Sequence, residues 1–156
     1  MVLLKTGDKA PIFNLPNQNG QMINSSDYIG KRILLYFYPK AMTPGCTLQA
    51  CELRDNMFFF KQKNIELFGI STDIPKKLLH FTENQLLNFT LLSDENHEVA
   101  EKFGTWGEKK NMGKKIQGMH RITFIINKKG FIEHIFKKFK INEHYKILSN
   151  YLSTHE

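Results

Sequence analysis

The sequence predicts an α/β protein in which a central mixed β-sheet is flanked by helices and preceded by an N-terminal β-hairpin. Three observations carry this. Arg32 to Tyr38 is a strand candidate that is continuously apolar from Ile33, the pattern of a strand buried on both faces. Strand-like and helix-like stretches then alternate twice more. Last come two extended runs parted by Lys128-Lys129-Gly130, followed by a helical stretch. Such an order favours helices packed on both faces of a mixed sheet.

Each element has a local reason. Pro11 to Asn14 and Gln21 to Asn24 are short extended runs joined by Pro16-Asn17-Gln18-Asn19-Gly20, and Asn-Gly between such runs signals a hairpin. Pro39 ends the first central strand. Thr43-Pro44 reads as a helix start, an N-cap residue followed by proline at the first helical position. Good helix formers continue to about Lys63. Ile65 to Thr72 is a second strand. Asp73 to Leu87 is a helix with Pro75 in its first turn. Thr90 to Ser93 is a short strand and Asp94 to Phe103 a short helix. Arg121 to Asn127 and Phe131 to Phe139 form a hairpin, and Asn142 to Leu152 a closing helix. No repeat, low-complexity tract or linker divides residues 1–156, which are expected to form a single domain.

Composition narrows the function classes. Apolar residues make up 41% and charged residues 24% of the 156, the profile of a globular protein rather than a disordered one. The longest apolar run, Ile33 to Tyr38, is far too short to span a bilayer. The start has no basic stretch followed by an apolar one, so no signal peptide is expected and the location is expected to be cytoplasmic, with no membrane partner. The net charge of +7 raises the question of nucleic-acid binding. Yet 19 of the 22 basic residues are Lys, and they are scattered along the chain. Lys, Asn and Ile together supply 47 residues, as an AT-rich coding sequence would favour. The charge is therefore read as compositional drift, and no nucleic-acid partner is expected.

Both cysteines lie just past the first central strand, where open α/β sheets place their sites. Cys46 falls at the third helical position if Thr43 is the N-cap. Unpaired backbone N–H groups and the positive end of the helix dipole favour a thiolate there, and the thiolate is the reactive form. Gly45 removes a side chain beside the sulfur and opens the backbone to a substrate. The Thr43 hydroxyl either caps the helix through the N–H of Cys46 or faces the sulfur and a bound oxygen. The plain alternative for both cysteines is two small buried hydrophobes.

The segment Pro39-Lys40-Ala41-Met42-Thr43-Pro44-Gly45-Cys46 resembles the Pro-x-x-x-Thr-x-x-Cys motif of peroxiredoxins. Cys51, five residues further along the helix, is the arrangement of the peroxiredoxin Q subfamily, also called bacterioferritin-comigratory protein. The resemblance runs nearly end to end through Gly69-Ile70-Ser71-Thr72-Asp73, Leu91-Leu92-Ser93-Asp94-Glu95, Phe103-Gly104-Thr105-Trp106-Gly107-Glu108-Lys109 and His120-Arg121-Ile122-Thr123-Phe124. It implies a thioredoxin-like fold and a thiol peroxidase acting on small hydroperoxides. It implies Cys46 as the peroxidatic and Cys51 as the resolving cysteine, with Pro39 and Thr43 lining the pocket. Arg121 is implied as the guanidinium facing thiolate and peroxide. Thioredoxin is the implied reductant, the chain is expected to be a monomer, and no cofactor or metal is implied. Gln49 departs from the pattern, since many relatives carry Glu there; it is assigned no role.

The residue chemistry agrees with these roles. Arg121 lies 75 positions from Cys46, so only folding can join them. Its fork of donors suits a thiolate and two peroxide oxygens, whereas the ordinary fate of an arginine is a surface ion pair. Pro39 can shield one pocket wall or simply end a strand. Two cysteines on one continuous helix, five positions apart, have Cα atoms about 8.6 Å apart, beyond the roughly 6.8 Å limit for a disulfide. Either the helix melts on oxidation, the favoured reading, or Cys51 lies beyond a break.

Other constellations are weak. The six histidines lack metal-site spacing and are read as surface or edge residues, with His120 notable for adjoining Arg121. Cys-x₄-Cys is not the Cys-x-x-Cys of a dithiol oxidoreductase. Phe58-Phe59-Phe60 reads as helix core. Trp106 either lines a pocket or packs under a loop.

Overall fold

A computed structural model describes residues 3–156. Its strands are β1 (Asn14–Pro16), β2 (Met22–Asn24), β3 (Arg32–Phe37), β4 (Ile65–Ser71), β5 (Thr90–Ser93), β6 (Trp106–Asn111), β7 (Lys114–Met119), β8 (Ile122–Ile126) and β9 (Ile132–Phe136). Its α-helices are α1 (Pro44–Asp55), α2 (Met57–Gln62), α3 (Pro75–Gln85), α4 (Glu98–Phe103) and α5 (His144–Thr154).

The central sheet runs β5-β4-β3-β8-β9. β3, β4 and β5 are parallel, and β8 and β9 are antiparallel additions, so the sheet is mixed as expected. All six residues of β3 are buried. Alternation sends Leu34 and Tyr36, followed by Tyr38, into one core with Ala50, Leu53, Phe60, Leu78, Phe81, Leu148 and Leu152, under α1, α2, α3 and α5. Ile33, Leu35 and Phe37 enter the opposite core with Phe13, Phe68, Phe103 and Phe124, under α4 and the N-terminal hairpin. A strand with helices on both faces must be apolar at every position, and this is why the run Ile33 to Tyr38 is unbroken.

The structure refines several expectations. The stretch from Thr43 to Lys63 is two helices. Asn56 breaks it: its Nδ2 donates to the Glu52 carbonyl at 2.8 Å, and its own N–H turns back to the Leu53 carbonyl. Asparagine's short amide competes with the helix for backbone groups in this way. α4 starts only at Glu98, because the Asp94 carboxylate accepts from the N–H groups of Val99 and Ala100 and occupies the space before the helix. β1 is displaced toward Pro16, which pairs with Met22, and the turn closes on the Asn17 side chain.

The β6–β7 hairpin was not expected. It forms its own two-stranded sheet, turning at Met112-Gly113 with φ of 52° and 81°. Most of β7 is exposed and β6 carries two lysines, so no alternating apolar pattern marks either strand. Trp106, at the hairpin's root, stacks on His97 with ring centroids 4.1 Å apart. Both rings also line a surface cavity with Glu101 and Gln117, so Trp106 packs on its neighbour and forms a cavity wall at once.

The phenylalanine triplet is likewise split. Phe60 is fully buried, while Phe58 is 74% exposed. Phe60→Ala is expected to cost about 3–5 kcal/mol in denaturant unfolding. Phe58→Ala should stay within about 0.5 kcal/mol of wild type.

Candidate active site

β3 and β8 are antiparallel neighbours, with Phe37 opposite Ile122. The chain leaving β3 at Tyr38-Pro39 therefore lies beside the chain entering β8 at Arg121. This register brings Arg121 to the start of α1.

The loop between β3 and α1 is held from below. The Ala41 N–H donates to Asp73 Oδ2 at 2.7 Å, and the Ser71 hydroxyl donates to the same oxygen at 2.8 Å. The Ser93 hydroxyl donates to the Asp73 carbonyl at 2.6 Å. The ends of the parallel strands β4 and β5 thus form a buried polar cradle for the loop. Within the loop Met42 takes a left-handed conformation, φ 65°, which costs a side-chain-bearing residue energy and persists because its surroundings impose it. Pro39 is half-buried at the head of this loop.

Thr43 is the N-cap by backbone geometry, with φ −83° and ψ 155°, and Pro44 opens the helix. Its hydroxyl does not cap. It donates to the Lys40 carbonyl at 2.8 Å, and no side chain caps α1. Of the two readings for Thr43, the bond to the Cys46 N–H is not made, and the oxygen keeps its lone pairs for other donors.

Cys46 is the third helical residue and is 1% exposed. Helical spacing lines it up with Gln49, Ala50 and Leu53 on the buried face of α1. Arg121 reaches this turn. A Cβ placed on Gly45 would stand 3.0 Å from Arg121 Nη2 and 2.9 Å from Ile141 Cδ1. Gly45 therefore makes room for the guanidinium. Arg121 Nη1 donates to Gln49 Oε1 at 2.9 Å. The other arginines pair with carboxylates, Arg32 with Glu133 and Arg54 with Asp55. Among the described residues Arg121 has no such partner, so its charge remains available to an anion at Cys46.

Cys51 lies on the same unbroken helix, half-buried, with its thiol toward Gln85 Oε1 of α3 at 3.4 Å. The break comes later, at Asn56, so the alternative that Cys51 lies beyond a break is excluded for this state. Both thiols are free.

Four residues at or behind the site were not singled out from the sequence. The sequence assigns Gln49 no role, yet it is 1% exposed and holds Arg121. His144 was grouped with surface histidines, yet it is also 1% exposed. It contacts Gln49 Nε2 through Nδ1 at 3.0 Å and Thr123 Oγ1 through Nε2 at 2.8 Å. Burial, with the Arg121 charge nearby, pushes its pKa down to about 3. Their signal was a polar residue on an otherwise apolar helical stripe: Gln49 among Cys46, Ala50 and Leu53, His144 ahead of Leu148 and Leu152. Asp73 was visible only as part of a motif. Lys109 comes from the unexpected hairpin. Its stem lies over Gly118, where a Cβ would meet it at 3.0 Å, and its Nζ donates to the Met119 carbonyl at 2.7 Å. Burial and then Arg121 lower its pKa, and Cys46 opposes them. His120, by contrast, reaches the Glu108 carbonyl of β6 at 3.0 Å.

A thioredoxin-like sheet with a helix-start cysteine, beside a guanidinium that has no carboxylate partner among the described residues, fits the thiol peroxidase class. Residues 6–135 match the AhpC/TSA family, and the chain belongs to that family. It is 57% identical to peroxiredoxin Bcp of Escherichia coli strain K12 over 152 residues, covering 97% of each chain. Among solved structures, a cysteine-to-serine variant of PrxQ from Xylella fastidiosa superposes with a TM-score of 0.92, at 27% identity and 99% coverage of both chains. The bacterioferritin comigratory protein of Xanthomonas campestris, described with alkyl peroxide reduction activity, superposes at 0.86, with 26% identity over 92% of this chain and 91% of that one. The fold is thioredoxin-like and the chain is a peroxiredoxin, as its sequence motifs implied.

Gly45→Ala separates packing from chemistry. Alanine favours a helix over glycine by up to about 1 kcal/mol, and the displaced atoms are the tips of flexible side chains. Thermal stability should hold, while peroxide reduction falls because Arg121 is pushed aside. Unchanged turnover would mean the guanidinium does not work from this position.

His144 makes a second prediction. Folded, it stays neutral down to about pH 3. In the unfolded chain it protonates below about 6.5. The unfolded state then binds the extra proton, so stability declines as pH falls from 6.5 toward 3, by up to about 1.4 kcal/mol per pH unit. Urea unfolding across that window should show a slope that His144→Asn removes.

Proposed function

We propose that the chain reduces small hydroperoxides, both hydrogen peroxide and organic ones, through a cysteine cycle recycled by thioredoxin in the cytoplasm. One observation supports it above the others: Arg121 lies against Gly45, one residue from Cys46, without a carboxylate partner among the described residues. The Cys46 thiolate attacks one peroxide oxygen, an S–O bond forms, and the O–O bond breaks. The departing alkoxide or hydroxide takes a proton from solvent and leaves as alcohol or water. Cys46 becomes a sulfenic acid, the first rung of thiol oxidation. Arg121 offers several fixed donors to the oxygens as charge moves onto the leaving one. Thr43 and Pro39 frame the approach.

Cys51 then condenses with the sulfenic acid, releasing water and forming a disulfide. On the continuous helix the two cysteines are too far apart to bond, so α1 must open locally. A reduced dithiol protein of the thioredoxin type restores both thiols through a mixed disulfide. No described helix is long and apolar enough to cross a membrane. The chain acts as a single-domain monomer in this reading, since both cysteines lie in one chain on one helix.

Peroxide turnover with a thioredoxin system tests the cycle. Cys46→Ser should abolish it, because a hydroxyl is barely ionised at neutral pH. Arg121→Lys should slow peroxide reduction despite the retained charge, since an ammonium cannot reproduce the fork. Wild-type kinetics in either variant would overturn that residue's assignment.

Cys51→Ser should consume one equivalent of peroxide and stall as a sulfenic acid. Amide exchange across residues 43–55 should be slow in the reduced protein and fast in the disulfide form. Equal protection in both, with a confirmed Cys46–Cys51 bond, would sink the opening step.

A further inference from the structure

Arg121 is held by a neutral amide, and that amide has a partner of its own. Gln49 Oε1 accepts from Arg121 Nη1 at 2.9 Å, and Gln49 Nε2 lies 3.0 Å from His144 Nδ1. His144 Nε2 lies 2.8 Å from Thr123 Oγ1. A guanidinium can only donate, so the end of Gln49 facing it must be the carbonyl. The NH₂ end then donates to His144 Nδ1, which must be unprotonated. The ring proton is therefore on Nε2 and donates to Thr123. One arrangement of donors satisfies every contact, and it leaves no choice in the amide orientation.

We propose that His144 is a positioning residue for peroxide reduction, acting through Gln49 to aim Arg121 at Cys46. The proposal rests on the reading of Arg121 as the guanidinium of the site. His144 is suited to the task because it is fixed itself. Its ring is buried, stacks on Phe139 with centroids 4.7 Å apart, and lies 5.6 Å from the Tyr36 ring. Thr123 holds its far nitrogen from β8, the strand that Arg121 immediately precedes. Without an acceptor at Nδ1, the buried NH₂ group of Gln49 would be unpaired, a costly state that turning or withdrawing the amide would relieve. Either movement releases Arg121. Because Gln49 and His144 are both neutral, the arrangement orients the guanidinium without cancelling its charge, as a carboxylate at position 49 would.

Two substitutions separate aiming from packing. His144→Phe keeps the ring and removes both polar atoms. His144→Asn keeps an acceptor close to the Nδ1 position and loses the Thr123 contact. The thiolate content of Cys46 at fixed pH, from ultraviolet absorbance or iodoacetamide alkylation, is the first readout. The rate constant for peroxide reduction is the second. His144→Phe should lower the rate constant by about tenfold, the scale of one hydrogen bond to a charged group. The thiolate signal should fall with it, and His144→Asn should recover most of both. Equal losses in the two variants, tracking thermal stability alone, would mean the histidine only fills the core. If His144→Phe does not fold, ¹⁵N spectra of the wild-type ring decide. A neutral ring protonated on Nε2 and not titrating between pH 5 and 8 is expected. Protonation on Nδ1, or ordinary titration, overturns the proposal. Failure of the underlying reading looks different: the wild-type protein would not reduce peroxide, whatever the ring spectra show.

Discussion

The antiparallel pairing of β3 with β8 joins two stretches of chain that are distant in sequence, and the geometry of the site follows from it. With Phe37 opposite Ile122, Arg121 enters the sheet beside the exit of Tyr38-Pro39. A slip of one residue would turn every side chain of β8 to the other face. Thr123 would leave His144, and Phe124 would leave the core under α4. Register here is secured by apolar burial on both faces, so the packing that stabilises the sheet also places the guanidinium.

Two cations lie near Cys46. Arg121 stands against the first turn of α1, and Lys109 is tied to the Met119 carbonyl two positions upstream in the chain. The groups that hold Arg121 are neutral, and the nearby carboxylate of Asp73 is spent on backbone and hydroxyl donors beneath the loop. An uncompensated cation near a helix N-terminus favours an anion there more strongly than either feature alone. The arrangement is sensitive to substitution, since a buried His144 and Gln49 amide are tolerated only while every partner is in place.

In the proposed cycle α1 has two duties that pull against each other. Its first turn must be ordered for Cys46 to face Arg121, and Ala50 and Leu53 bind the helix into the core. Bonding Cys46 to Cys51 requires that same segment to come apart. Gln49 lies between the two cysteines, so opening the helix would also withdraw the hydrogen bond to Arg121. In the proposed cycle the loss of peroxide-binding geometry and the approach of Cys51 are then one movement.

Much was legible in the sequence because the signals are local. The unbroken run in β3, the Thr43-Pro44 start of α1 and the Lys128-Lys129-Gly130 turn all act within a few residues, and the structure bears them out in place. Asn56 is a local signal set among good helix formers, which mask it. The β6–β7 hairpin had little local signal, because much of it is exposed and apolar alternation had no core to answer to. Gln49 and His144 show what only tertiary structure decides. Each residue type is ambiguous alone, since a glutamine or histidine on a helix is usually solvated. Their meaning comes from being enclosed together, 95 residues apart, with a guanidinium at one end and a threonine at the other. Sequence determines which donors and acceptors exist and which helical stripe each occupies; the pairing of those stripes across the sheet decides which donor meets which acceptor.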